Sequence, residues 1–182
     1  DNFIELECPP LENASLHIIG VGHVVFVCIR QSTLLSRWDF SVTNIVILAQ
    51  PGDFDISFLV YVGDGGKVRF TDVRLIAPEI SSAMSVDGRE TELTMSRCFF
   101  SNCRTAFLLY DGSKMNMRNC RFRSITEIAG AAQHKSSLCV SDSSFVDCAA
   151  LRVLDRSSIF MEKCVLGKTI DSQSWGGKAL DL

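Results

Sequence analysis

Apolar residues recur in a short template along most of this sequence. In residues 93–100 they stand at the first, third, sixth and eighth places, as Leu93, Met95, Cys98 and Phe100. Alternation of apolar and polar residues is typical of a strand with one buried face, and it holds between places one and three and again between places six and eight. The longer step from place three to place six predicts a bend. Each copy of the template therefore predicts two short strands separated by a bend.

The template occurs about seven times, and its copies are spaced by 21 to 28 residues. Repeats of this length are typical of solenoid proteins. In the first copy, the sixth and eighth places are assigned to Val21 and His23. The residues at the first place are Leu16, Phe40, Val68, Leu93, Met115, Leu138 and Ile159.

Each repeat also carries turn signals. Asparagine and aspartate tolerate the left-handed backbone of a tight bend, and they are frequent just before the sixth place. We expect a third strand in most repeats, at residues 84–86, 107–109 and 151–153, followed by a turn. The bend residues are Asn44, Asp72, Arg97, Asn119, Asp142 and Lys163. The turns are Asp64-Gly65, Asp87-Gly88, Asp111-Gly112 and Asp155-Arg156, and His134-Lys135 interrupts this series.

Three short strands in each repeat predict an all-β fold. One coil cannot bury its own inner face, but stacked coils pair every strand and enclose a continuous core. The sequence therefore predicts a right-handed parallel β-helix of about seven coils, with three short strands per coil. Helical repeats are excluded because no segment sustains the i, i+3, i+4, i+7 spacing of a helix. An antiparallel sandwich stays open as an alternative, because short strands between glycine turns also fit it.

The repeat divides the chain into three parts. Residues 1–14 are expected to be a lead-in or the end of an earlier coil, residues 15–170 the β-helix, and residues 171–182 a C-terminal cap or tail. The longest interval between template copies, residues 48–67, predicts a lateral loop. The chain begins without methionine and without a leader, so we expect a fragment or a processed product.

Composition and charge narrow the possible functions. Hydrophobic residues make up 47% of the chain and charged residues 21%, which is typical of a globular domain. A net charge of −3 argues against nucleic-acid binding. No apolar run approaches the roughly 20 residues that span a bilayer, so we expect no membrane insertion.

The sequence contains eight cysteines. Cys98, Cys120 and Cys164 share the sixth place of the template, where a small buried residue belongs. We therefore interpret the cysteines as reduced core thiols in an intracellular (cytoplasmic or nuclear) or virion setting. Zinc binding is not expected because the chain has no Cys-x-x-Cys pair, and we predict no metal and no cofactor.

Candidate binding residues fall into two groups. Asp53 and Asp55 lie in the predicted lateral loop, where paired carboxylates can bind a ligand. The second group consists of arginines on neighbouring coils and one outward phenylalanine, and it suits an acidic partner. Its members are Arg74, Arg97, Arg118, Arg121 and Phe99.

No catalytic group is predicted. The three histidines are too scattered in the repeat to form a triad with a serine or cysteine. The stacked aspartates of the turns are explained by turn formation alone. We therefore lean against an enzyme.

The segments Cys98-Phe99-Phe100-Ser101-Asn102-Cys103 and Cys120-Arg121-Phe122 carry a family resemblance. The chain resembles the pectate-lyase-like right-handed β-helix superfamily. Residues 91–167 are similar to the cysteine- and phenylalanine-containing coils of the adenoviral large early-region protein and its atadenovirus capsid-surface relative. Eukaryotic β-helix scaffold proteins carry similar coils. The resemblance implies a non-enzymatic binding protein and, for the viral relatives, a trimer.

Three functional hypotheses follow. The first is a non-catalytic scaffold that binds protein partners through its lateral faces and loops. The second is a carbohydrate-binding or carbohydrate-active β-helix that uses the loop of residues 50–66. The third is an oligomeric virion surface protein.

Overall fold

The computed structural model contains only β-strands among the residues it describes. These residues are 15–28, 32–35, 39–49, 58–63, 65–78, 82–167 and 179–180. They form twenty strands, which we number in chain order. No helix long and apolar enough to cross a bilayer occurs in this part of the chain.

The first strands of the coils form one parallel seven-stranded sheet. Its strands are β1 Ser15–Ile19, β4 Asp39–Thr43, β7 Lys67–Thr71, β10 Glu92–Ser96, β12 Lys114–Arg118, β15 Ser137–Ser141 and β18 Ser158–Glu162. In the last four strands, Met95, Met117, Val140 and Met161 pair in one line. The predicted register is confirmed for every neighbouring pair of first strands. Between the first and the last of these seven strands, the chain makes about six turns of a parallel β-helix.

The second strands stack in the same way. They are β2 Val25–Cys28, β5 Val46–Ala49, β8 Arg74–Ile76, the start of β11 Phe99–Leu109, β13 Arg121–Ile128, β16 Ser144–Cys148 and β19 Val165–Leu166. Parallel strands joined by crossover connections wind in the right-handed sense, which gives the helix its hand. The first and second strands of each coil meet at a bend, as the template predicts.

The third strands complete the coils. They are β3 Ser32–Leu35, β6 Phe58–Gly63, β9 Ser82–Val86, the end of β11, β14 Gly130–Ala132 and β17 Leu151–Val153. The last strand, β20 Ala179–Leu180, pairs antiparallel with β17. The predicted third strands at residues 84–86, 107–109 and 151–153 are confirmed.

The predicted bends are confirmed by backbone geometry. All six predicted bend residues have φ between 50° and 57°. A second bend separates the second strand from the third, as three short strands per coil require, and it places Asn102, Ser124 and Asp147 at φ of 52° to 55°. The residues that follow this bend are buried, so the third strands face the same core as the first two.

The core is a column of side chains from successive coils. Phe100, Phe122 and Phe145 occupy the eighth place and stack face to face, with ring centroids 4.8 Å and 4.4 Å apart. The ring of Phe107 packs edge-on against that of Phe122, with the two ring centroids 5.9 Å apart. Such aromatic pairs add to the stabilisation from buried area. The repeated phenylalanines therefore join three coils into one packed unit.

Strand β14 was missed because Gly130, Ala131 and Ala132 have little strand propensity. The structure gives the reason for the glycine. A Cβ on Gly130 would lie 1.9 Å from the ring of Phe107. The large ring of one coil thus occupies the space above a residue without a side chain in the next coil.

The assignment of Val21 and His23 to the core template is wrong. Val21 is 88% exposed, and His23 is exposed too. The eighth place belongs to Phe26, which pairs with Ile47 in the next coil. The bend of the first coil is longer than the others, so the register of its second strand shifts by three residues. Residues 1–14 and most of the predicted tail, including Trp175, lie outside the described residues.

Candidate functional site

The outer face of the second strands brings together three of the predicted binding residues. Arg74, Phe99 and Arg121 pair in register on β8, β11 and β13, so their side chains line up on adjacent coils. Both arginines are exposed and Phe99 is partly exposed. Adjacent coils are about 4.8 Å apart, so Phe99 lies between the two arginines in the stack of coils.

This line continues into an apolar patch. Val25 and Val27 are 53% and 49% exposed, and the register places Val46 and Leu48 directly beside them. Ile76 pairs with Leu48 and points outward beside Arg74. We call the combined surface the second-strand face. It comprises Val25, Val27, Val46, Leu48, Ile76 and Phe99, with Arg74, Arg121 and Arg123.

None of the nine residues that define the second-strand face is acidic, and the acids on the same strands lie at the second bend (Asp147) or beyond it (Glu127). Arg123 pairs in register with Ser101 on one side and Val146 on the other, and it is exposed. Arg74, Arg121 and Arg123 form no ion pair with any acid in the described part of the chain. Three unpaired arginines thus border an apolar surface on a protein whose net charge is −3.

The other two predicted arginines lie nearby but are paired. Arg97 donates two hydrogen bonds to the carboxylate of Asp72, at 2.8 Å and 2.7 Å. This arginine lowers the pKa of Asp72 below its ordinary value. Arg118 lies 3.4 Å from Asp142. Both arginines are exposed, and their ion pairs join neighbouring coils at the bend. Because each is paired with an aspartate, they are less available to an acidic partner than Arg74, Arg121 and Arg123 are.

The prediction of one lateral loop over residues 48–67 is wrong for part of that range, because Phe58–Gly63 form the third strand β6 and pair with β3 and β9. The candidate residues of the loop cannot be placed. Asp53 and Asp55 lie outside the residues that the structure describes.

A second polar surface follows the turns that join third strands to first strands. Asp111-Gly112, His134-Lys135 and Asp155-Arg156 all have positive φ at both residues. This is the geometry of type I′ turns, and each turn is closed by a hydrogen bond between its flanking residues at 3.0 to 3.2 Å. His134-Lys135 therefore continues the series of turns that the sequence suggested it interrupts.

The stacked turns place a histidine between two aspartates. His134 Nδ1 lies 3.1 Å from Asp111 Oδ1, and its Nε2 lies 3.3 Å from Asp155 Oδ2. Asp87 does not belong to this column. The backbone N–H of Asp87 donates to the carbonyl of Val62, and the N–H of Tyr110 donates to the carbonyl of Val86 in the same way. Asp87 therefore occupies the position equivalent to Tyr110, which is one residue before Asp111. Burial and the charge of Asp87 raise the pKa of Tyr110.

A cavity of about 540 Å³ opens at these turns. The residues that line it are Arg89, Asp111, Gly112, His134, Lys135, Asp155 and Arg156. We call these seven residues the turn column. Sequence reasoning missed it because His134-Lys135 carries neither of the turn signals, aspartate or glycine.

The described cysteines are free, and most of them are buried. A hydrogen bond with Cys120, together with burial, raises the pKa of Cys98. Burial raises the pKa of Cys103 to about 12 and that of Cys148 to about 11. Cys139 is exposed on the first-strand sheet, and Cys164 is half-buried. In the described ranges, no three metal-ligating side chains form a group that could hold a metal ion.

Comparison with known proteins identifies the fold family. The family model described as "Right handed beta helix region" matches residues 40–174, which is well over half of the chain. Searches among curated proteins and among solved structures gave no significant match. The parallel register of the first strands and this family match agree, and the chain belongs to the right-handed β-helix family.

Proposed function

We propose that this protein is a non-catalytic scaffold that binds an acidic protein partner through the second-strand face. The observation that supports the proposal is the composition of that face. It combines outward apolar side chains with three arginines that form no ion pair within the described part of the chain, and none of its nine defining residues is acidic.

The apolar side chains of the second-strand face favour binding to a protein. Outward positions of a solvated sheet are usually polar, whereas here valines, leucine, isoleucine and phenylalanine occupy neighbouring outward positions on four coils. Contiguous apolar patches on a surface mark interaction sites. Phe99 lies centrally between Arg74 and Arg121, and aromatic and arginine residues are the types enriched at binding hot spots.

The charged part of the face indicates what kind of partner it suits. Positive potential speeds encounter with a negatively charged surface and disfavours a positively charged one. The partner is therefore expected to present an apolar strip flanked by aspartate or glutamate.

The test has two stages. A partner captured by the tagged protein is purified, and its affinity is measured by titration calorimetry against variants. We expect Phe99→Ala to weaken binding at least tenfold, because truncation of a hot-spot residue costs about 2 kcal/mol or more. Arg74→Glu with Arg121→Glu should weaken binding further and slow association most at low salt.

Lys67→Glu with Arg69→Glu is the matched control. It makes the same change in net charge at exposed positions of β7, on the first-strand sheet. Binding that survives Arg74→Glu with Arg121→Glu as well as it survives the control would contradict the proposal. A glycan that binds wild type more tightly than any protein would favour the carbohydrate hypothesis instead.

A further inference from the structure

We propose that the cavity of the turn column binds a tetrahedral oxyanion, namely phosphate or a phosphate ester, through Arg89, Lys135 and Arg156. This site is separate from the second-strand face. It lies at the corner where third strands pass to first strands, whereas the second-strand face lies between the two other corners of the coil.

The first argument is an excess of positive charge in one cavity. Arg89, Lys135 and Arg156 come from three different coils and line the same space of about 540 Å³. None of the three forms an ion pair with an acid in the described ranges. Cationic side chains that line one cavity give it a positive potential, which favours an anionic ligand.

The second argument is that the nearby carboxylates are already engaged. Asp111 and Asp155 each direct an oxygen at a ring nitrogen of His134, at 3.1 Å and 3.3 Å. These three residues occupy the first position of each turn. Gly112, Lys135 and Arg156 occupy the second position. Asp111 and Asp155 line the same cavity, but one oxygen of each is directed at His134, and neither lies within ion-pair distance of Arg89, Lys135 or Arg156.

The third argument is the gap at Gly112. This residue has a φ of 80° and no side chain, so the cavity lining has no side chain at this position of the turn. The stem of Arg89 lies beside the gap, because a Cβ on Gly112 would be 3.3 Å from Arg89 Cγ. The gap leaves room for a small group within reach of cationic side chains from both sides.

A tetrahedral oxyanion fits this arrangement chemically. Guanidinium groups donate paired hydrogen bonds to phosphate oxygens, and a lysine ammonium adds a compact charge. Lys135 and Arg156 stand on adjacent coils about 4.8 Å apart, so two oxygens of one anion can contact both. Cationic ligands are disfavoured by the three cations, and a spherical monovalent anion makes fewer hydrogen bonds than a dianion does.

The experiment is a titration of the ¹⁵N-labelled protein with sodium phosphate at constant ionic strength, followed by NMR. We expect saturable shifts at the amides of Gly112 and Lys135, and no saturable shift with chloride. Lys135→Gln and Arg156→Gln should each weaken phosphate binding about tenfold, since a charge-assisted hydrogen bond contributes about 1.5–3 kcal/mol. Both side chains are exposed, so neither change should disturb folding.

Arg69→Gln is the control variant, because it removes an exposed cation outside the cavity. Equal loss of phosphate affinity in Arg69→Gln and Lys135→Gln would overturn the proposal, and so would the lack of saturation in the wild type. Tighter binding of O-phosphoserine than of inorganic phosphate would assign the site to a phosphorylated side chain, and the reverse order would assign it to the free ion. Arg74→Glu with Arg121→Glu should leave phosphate binding unchanged, so the failure of one proposal does not affect the other.

Discussion

The phenylalanine stack makes a strong prediction about stability. Phe122 is 1% exposed and lies between Phe100 and Phe145, with the edge of Phe107 against its ring. Truncation of a buried phenylalanine to alanine costs about 3–5 kcal/mol in total. Because Phe122 loses three aromatic partners, we expect Phe122→Ala to lower the free energy of unfolding by an amount near the upper end of this range, about 5 kcal/mol.

The assay is urea unfolding followed by circular dichroism in the far ultraviolet. Because each coil of a solenoid contacts mainly its neighbours, the loss of Phe122 should also weaken the coupling between the coils on either side of it. The expected signature is a lower midpoint with a broader or two-step transition. Phe122→Leu keeps most of the buried volume and should cost roughly 1–2 kcal/mol.

The control is the removal of an outward phenylalanine. Phe160 is 61% exposed on β18, so Phe160→Ala should change the unfolding free energy by no more than about 0.5 kcal/mol. A cost below about 1 kcal/mol for Phe122→Ala, or equal costs for the two variants, would refute the assignment of Phe122 to a packed central column.

Two further predictions concern the core. Gly130→Ala should destabilise the protein by about 1–3 kcal/mol in thermal unfolding, because the new methyl group would overlap the ring of Phe107, and an unchanged melting temperature would contradict this contact. Stability should also fall as the pH rises above about 9, since Cys103 and Cys148 hold their protons in the folded state to pKa values of about 12 and 11, whereas the ordinary value is 9.0. The unfolded chain loses these protons first, so urea midpoints measured from pH 8 to pH 11 should decline less in a Cys148→Ala variant than in the wild type.

The repeat in the sequence was enough to predict which residues point into the core. The places filled by Leu93, Met95, Cys98 and Phe100 recur on every following coil, and the structure pairs the strand residues among them in register. This success has a simple cause. A continuous core demands apolar side chains at fixed places in each coil, so the constraint is visible in the residue types themselves.

Bends were predictable for a related reason. A left-handed backbone favours asparagine and aspartate, which mark Asn44, Asp72, Asn119 and Asp142. Arg97 adopts the same conformation although its residue type gives no such signal. It could be assigned only because it occupies the same place in the repeat.

The outward surfaces were decided by the tertiary structure. Outward residues have no common residue type, and their neighbours lie a whole coil away in the sequence. A bend that is longer by a few residues, as at Val21 to His23, changes which residues face each other. The alignment of Phe99 with Arg74 and Arg121 follows from their shared place in the repeat. The placement of His134 between two aspartates depends on turn geometry and backbone register, which residue types alone do not specify.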